Sequence, residues 1–349
     1  MCLNWSGPDS KMVSDNLTIT RPAYQPKDGY DIPVYGLANG QFYSLHVPAL
    51  TFIFLSLTSA IAVLVASFKL QSYRSFFSWT KSERFVVYLA VCDGLFSMAH
   101  SMDHLHIVIT KNHVYPRGLC KFYGFMLTVF ITAQNLMVNI VAFNAFILIY
   151  YRKNVDLGRY DYRLLLYTFG TPFVGACIAV GLGTLGSNGA FCYFDGVKGE
   201  LANIFFTTIP LILILCMNIV LYCLTLHRIN TEEELLKESL GNGRVNRSHK
   251  AARNMSMFVV AFFVQWCPLT VYGLWQLIAP VPQLLFQMVT TFSNIGGILN
   301  GIVFIILKRR KLMSHKEGKE SSSVHMKDIS INLDNTVKDN ADTGQRSEK

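Results

Sequence analysis

Among the polar residues inside otherwise apolar stretches of this chain are Asp93, Asn135, Asn139 and Asn300. A carboxylate among apolar side chains needs amides, water or a cation to hold its charge. Asp93 sits in LAVCDGLF, and Asn300 sits in LNGIVFIILKRRK, just ahead of four basic residues. Asn135 and Asn139 are four apart and share one helical face. These residues can form one polar cluster around Asp93, filled by water or holding a sodium ion. The plainer alternative for the asparagine pair is ordinary hydrogen bonding between helices. A second cluster is HSMDHLHIV, with His100, Asp103, His104 and His106. The spacing of His100 and His104 suits a metal site, and the composition suits a pH sensor. The plainer reading, which we prefer, is the wet wall of a vestibule. Prolines add a third signal. Pro172, Pro210 and Pro268 each fall in an apolar run, where each deletes a backbone hydrogen bond and tends to kink a helix. Around Pro268, in FFVQWCPLTVYG, stand Phe262 and Trp266. A kink flanked by bulky aromatics is either static shape or the bend of a lever. No nucleophile–base set, phosphate-cradling loop or zinc-hydrolase motif is present, so neither an enzyme nor a cofactor is expected.

The elements that must position these residues follow from hydropathy. Apolar residues make up 51% of the chain and charged residues 15%, against about a quarter charged in soluble domains. Seven long apolar runs occur, at about 44–68, 85–109, 119–151, 162–186, 201–226, 254–279 and 284–307. Each reaches the roughly 20 residues needed to cross a bilayer as a helix, and lipid leaves bare backbone no other option. The fold class is therefore an all-α membrane protein, a bundle of seven transmembrane helices over 44–312. Lys and Arg crowd the linkers after spans 1, 3 and 5 and the start of the tail, which places the N-terminus outside and the C-terminus in the cytosol. The net charge of +9 then belongs mostly to the inner leaflet, where Lys308, Arg309, Arg310 and Lys311 meet anionic lipid. It does not point to nucleic acid. By this reckoning Asp93 lies roughly 13 Å and Asn300 roughly 10 Å from the cytosolic ends of their spans, so the two can meet at one level.

Residues 1–43 read as an outer segment without an apolar core, so span 1 is expected to act as its own insertion signal. That segment carries two glycosylation sequons, at Asn4 and Asn16. Residues 313–349 read as a disordered, Ser-rich cytoplasmic tail, where Ser321, Ser322 and Ser323 can accept phosphate and so recruit arrestin. The stretch TEEELLKESL, past span 5, is expected to extend that helix. Of the eight cysteines, Cys120 and Cys192 both fall outside, where disulfides are permitted.

Taken together, these motifs resemble the rhodopsin-like family of G-protein-coupled receptors. LAVCDGLF around Asp93 is similar to that family's span 2 motif. Pro210 matches its span 5 proline. Phe262, Trp266 and Pro268 match its span 6 pattern, with Gln265 in the place of a Cys. Asn300-Gly301-Ile302-Val303-Phe304 is similar to its span 7 motif, with Gly for Pro and Phe for Tyr. The resemblance covers about 44–312. It implies a disulfide between Cys120 and Cys192, and a ligand pocket open to the outside among spans 3, 5, 6 and 7. Leu127, Phe130, Trp266, Tyr272, Gln287 and Asn294 are its candidate lining by family analogy. Asp93, Asn135, Asn139, Asn300, Phe262, Trp266, Pro268 and Pro210 are the candidate switch. The family's acidic-Arg-Tyr triplet, expected to end span 3, is replaced by Asn144-Ala145-Phe146, with Arg152 a distant substitute. The usual span 1 asparagine and span 4 tryptophan have no clear counterpart, and Asn218 stands where the family has a span 5 tyrosine. Leu127 takes the place of the aspartate that binds amines, and Asn294 the place of the lysine that binds retinal. The resemblance thus implies a plasma-membrane receptor that transduces an outside ligand, a peptide or a neutral small molecule, to a heterotrimeric G protein. The alternatives are a seven-helix decoy or scaffold that does not couple, and a transporter or channel.

Overall fold

The computed structural model describes residues 25–153, 155–240, 247–275, 278–279 and 281–310, with no side-chain detail at 233–240, 247–253 and 255. The sequons at Asn4 and Asn16, Cys2 and the tail 313–349 lie outside the described residues. The chain divides into two compact units, Met1–Gly301 and Ile302–Lys349. The first holds α1 (Phe42–Leu70), α2 (Lys81–Thr110), α3 (Arg117–Tyr150), α4 (Arg159–Gly181) and α5 (Glu200–Glu232), whose backbone runs on as helix to Leu240. It also holds α6 (Arg247–Trp275) and α7 (Gln283–Phe292). Helix α8, Gly296–Arg310, follows α7 after a short break and a 46° bend. Its residues 302–310 are the described part of the second unit. Among the described residues, six helices are long and apolar enough to span a membrane, and the bent α7–α8 pair, taken as one span, makes seven. The TEEELLKESL extension of the fifth span is helical.

Local chemistry explains the ends and irregularities. Thr80 and Glu83 form a capping box at the start of α2. Pro172 and Pro210 each follow a wide π-turn, Leu166–Gly170 in α4 and Ile204–Thr208 in α5. A proline ring crowds the carbonyl four residues back, and a wider turn relieves that clash. Helix α3 is the axis, with 78% of its apolar window buried, whereas α1 and α4 bury 28% and therefore turn most of their surface to lipid.

A hairpin of β1 (Leu185–Ser187) and β2 (Cys192–Phe194) folds over one end of the bundle. The Cys120–Cys192 disulfide fastens it to the start of α3. Gly124 lets the two approach, because a Cβ there would come within 2.8 Å of the Tyr193 carbonyl. Residues 25–41 close over the same end. Gly29 N donates to Asp195 Oδ1 at 2.9 Å, Tyr30 Oη to the Val114 carbonyl at 3.1 Å, and Tyr35 N to the Gly189 carbonyl at 2.8 Å. His113 lies 2.8 Å from the Ile32 carbonyl through Nε2 and 2.9 Å from Ser187 Oγ through Nδ1. A carbonyl only accepts, so Nε2 carries the proton and Nδ1 accepts from the hydroxyl. Burial lowers the His113 pKa, which favours this neutral form.

At the opposite end, Arg84 of α2 grips Asp161 at the start of α4 with two bonds, of 2.6 and 2.9 Å. The guanidinium also donates to the Phe77 and Trp79 carbonyls, and Tyr88 Oη donates to Asp161 at 3.0 Å. Both charges are buried, so removing one leaves the other without its partner. Asp161→Asn is expected to lower stability by about 3 kcal/mol, read from thermal unfolding in detergent, and Arg84→Met in the same background should recover part of that loss.

Candidate functional site

Asp93 is 2% exposed, and both carboxylate oxygens are engaged. Oδ1 accepts from the Gln134 side-chain amide of α3, and Oδ2 accepts from Asn300 Nδ2 of α8 at 2.7 Å. Gln134 Oε1 in turn accepts from Gln265 Nε2 of α6 at 3.3 Å. The same Nε2 donates to the Ser293 carbonyl, in the break between α7 and α8, at 3.0 Å. One polar path therefore joins α2, α3, α6 and both sides of the seventh span. Gly296 makes room for it, since a Cβ there would meet Gln265 Nε2 at 2.5 Å. Beside this path, Ser56 Oγ accepts from Gly297 N at 2.8 Å and Ser59 Oγ donates to the Gly297 carbonyl at 2.9 Å. These serines tie α1 to the start of α8.

The expected cluster differs in one member. Neither Asn135 nor Asn139 reaches Asp93. The neighbouring residue Gln134 does, because one step along a helix turns a side chain by about 100°. Asn139 Nδ2 instead donates to Asn218 Oδ1 of α5 at 2.9 Å. Asn135 is buried, and its Oδ1 has no partner among the described residues. The sodium expectation also meets a mismatch. A cation needs oxygen ligands, whereas both amides present N–H to the carboxylate. Phe262 and Trp266 are buried on α6, which runs unbroken through Pro268. Arg152 pairs with Glu232 of α5, which also holds Arg228. The substitute latch therefore closes on the fifth span.

A cavity of about 80 Å³ lies between Trp266 and the β-hairpin. Of the six expected lining residues, Leu127, Trp266 and Tyr272 face it; Phe130, Gln287 and Asn294 do not. On α3, Leu127 and Ile131 share the cavity face, and Phe130 is turned off it. On α7, Phe286, Val289 and Thr290 share that face, and Gln287 turns aside to donate to Ser44 Oγ. The sequence reading missed the contribution of α2 and the hairpin, through Phe96, His100, Asn188, Phe191 and Tyr193.

The HSMDHLHIV stretch is not a wet wall. His100, Asp103 and His104 are buried. Asp103 Oδ2 accepts from Cys192 N at 2.8 Å, docking the hairpin on α2. The histidines form a chain with His46 of α1: His46 Nδ1 to His104 Nδ1 at 2.7 Å, His104 Nε2 to His100 Nε2 at 2.9 Å, and His100 Nδ1 to Asn294 Oδ1 at 2.9 Å. Asn294 Nδ2 donates to the Thr290 carbonyl at 2.5 Å. That last bond orients the whole chain. Asn294 must present its oxygen to His100, so each neutral ring donates toward α7 and accepts from the ring before it. Every ring nitrogen in the chain is then used except His46 Nε2. Among the described residues no group of three or more His, Cys, Asp or Glu could hold a metal ion.

The chain of amides carries a direct stability consequence. Gln134→Leu strips a donor from a buried carboxylate and should cost about 2 kcal/mol. Asn135→Leu removes an oxygen that has no partner and should cost less than half as much. Thermal unfolding of the two variants in detergent, compared with the parent, measures the difference.

Comparisons with known proteins agree with this geometry. No curated protein matches the chain. Squid rhodopsin, a solved structure, superposes with a TM-score of 0.58 at 16% identity, covering 76% of this chain and 81% of that one, which shows a shared fold. A family model described as "7 transmembrane receptor (rhodopsin family)" matches residues 59–304. The chain therefore belongs to the rhodopsin family of seven-transmembrane receptors, a family of receptors and not of enzymes.

Proposed function

We propose that this receptor sits in the plasma membrane with its N-terminus and β-hairpin outside, binds a ligand in the cavity above Trp266, and passes the signal to a heterotrimeric G protein in the cytosol. One observation carries the reading. Trp266 lines the cavity, and the residue before it, Gln265, belongs to the polar path through Asp93. Ligand contact and a candidate switch thus share one turn of α6, directly below Pro268. A ligand that presses on the indole displaces Gln265 as well, and a hinge at Pro268 converts that shift into an outward swing of the inner half of α6. The ligand must bind the two arrangements unequally, or no population shifts. Among the described residues the cavity lining holds no Asp, Glu, Lys or Arg, which supports a neutral ligand over an amine. Three outlying features complete the reading: sugars at Asn4 and Asn16, anionic lipid at Lys308–Lys311, and arrestin at a phosphorylated tail.

A second reading, a member of the fold that does not couple, draws on Asn144-Ala145-Phe146 at the place of the family's triplet. One assay separates the two. A ligand-library screen with a promiscuous G-protein readout should yield a dose–response curve. Asp93→Asn and Trp266→Ala should each shift its midpoint or maximum at least about tenfold, with surface expression retained. Unchanged curves in both variants would remove the mechanism, and silence of the parent across the screen would favour the second reading.

A further inference from the structure

Several polar side chains around the cavity are satisfied by the protein itself. His100 uses both ring nitrogens in the histidine chain. Thr207 Oγ1 and Tyr193 Oη bond each other at 2.7 Å, and Thr290 Oγ1 donates to backbone carbonyls of its own helix. Among the described lining residues, two fully buried side-chain atoms are not satisfied. Trp266 Nε1 and Asn203 Oδ1 are buried without a partner, and both residues line this cavity. They come from different helices, α6 and α5. Indole N–H only donates, and an amide oxygen only accepts. Native structures rarely leave such groups bare, because each costs its desolvation. Among the described residues no Asp, Glu, Lys or Arg lines the cavity, so a charged ligand would enter without a counter-charge.

We infer that the ligand is a small neutral molecule with one ring and one polar head that both accepts a hydrogen bond from Trp266 Nε1 and donates one to Asn203 Oδ1, as a primary carboxamide does. This deepens the receptor reading and rests on it for its biological meaning, but the chemistry concerns the cavity alone. The size follows from the space. The cavity of about 80 Å³ is smaller than the roughly 150 Å³ that admits benzene in an engineered core. One ring therefore fits only with side-chain movement, and a peptide's bulk does not. Aromatic walls at Phe96, Phe191 and Phe286 favour an arene as that ring.

The test is a set of near-isosteric probes: benzamide, acetophenone, benzoate and benzamidinium. Each is titrated against the purified full-length receptor in lipid nanodiscs by ligand-observed NMR. Benzamide has donor and acceptor; acetophenone lacks the donor; benzoate and benzamidinium carry charge. Benzamide should bind about tenfold or more tightly than each of the others, the usual cost of one buried group left unsatisfied. Trp266→Phe and Asn203→Leu, shown to be folded by their unfolding midpoints, should each weaken benzamide to about the level of acetophenone. Equal affinities across the set, a preference for either ion, or benzamide binding that ignores both substitutions would overturn the assignment. The comparison among probes on the parent protein stands even if a variant fails to fold. Binding is read without a G protein, so the two claims fail separately. Benzamide selectivity with no coupling to any ligand would sink the receptor reading alone. Coupling to other ligands without benzamide selectivity would sink this inference alone.

Discussion

A carboxylate held inside a lipid-spanning bundle is the constraint on which the rest of this structure depends. Asp93 cannot keep its place among apolar side chains unless both oxygens are solvated by the protein. Two amides do this from opposite sides, Gln134 on α3 and Asn300 on α8. Hydrogen bonds to a charged group are worth about 1.5–3 kcal/mol each, so the pair holds three helices in register about one point. Gln134 still has an oxygen to offer. Gln265 takes it and spends its remaining proton on the Ser293 carbonyl. The helix break that frees that carbonyl is therefore part of the same arrangement.

The irregular backbone follows the same logic. In lipid every N–H and C=O must find a partner within the protein. The breaks and wide turns fall where prolines or polar side chains manage the freed groups. The π-turns in α4 and α5 absorb Pro172 and Pro210. The α7–α8 break is held by Gln265, Ser56 and Ser59, and by Asn294 at the end of the histidine chain. That chain has one polarity, fixed by a carbonyl that can only accept. It ties α1 and α2 to the seventh span near the cavity, as the Asp93 path ties α2, α3 and α6 to it further along. The cavity lining includes one member of each, His100 and Ser293.

Much of the fold was legible in the sequence, because the hydropathy that fixes membrane spans is a property of long windows. The level shared by Asp93 and Asn300 was legible too, since rise per residue converts spacing into depth. Angular position was not. Choosing Gln134 over Asn135 requires the rotation of α3 to within one residue, and nothing in an apolar helix buried on most sides reports it. The same uncertainty misassigned Phe130 and Gln287 to the cavity. A single histidine in an apolar run, such as His46, has no local signature, and its partner lies 58 residues away. The burial of Asp103 needed the hairpin, whose three-residue strands are too short to be seen in composition. Gln265 departs from the family pattern, and only the Gly296 backbone beside it shows why a longer amide fits.

The most direct measurement of a single path through Asp93 uses two side chains, Asn300 and Gln265, that are joined only through Asp93 and Gln134 and have no bond to each other. A double-mutant cycle on thermal stability in detergent, between Asn300→Leu and Gln265→Leu, reports whether they share it. A coupling energy of about 0.5–3 kcal/mol is expected for members of one hydrogen-bonded network. Additivity within about 0.3 kcal/mol would contradict it, and would make Asp93 a local contact between two helices.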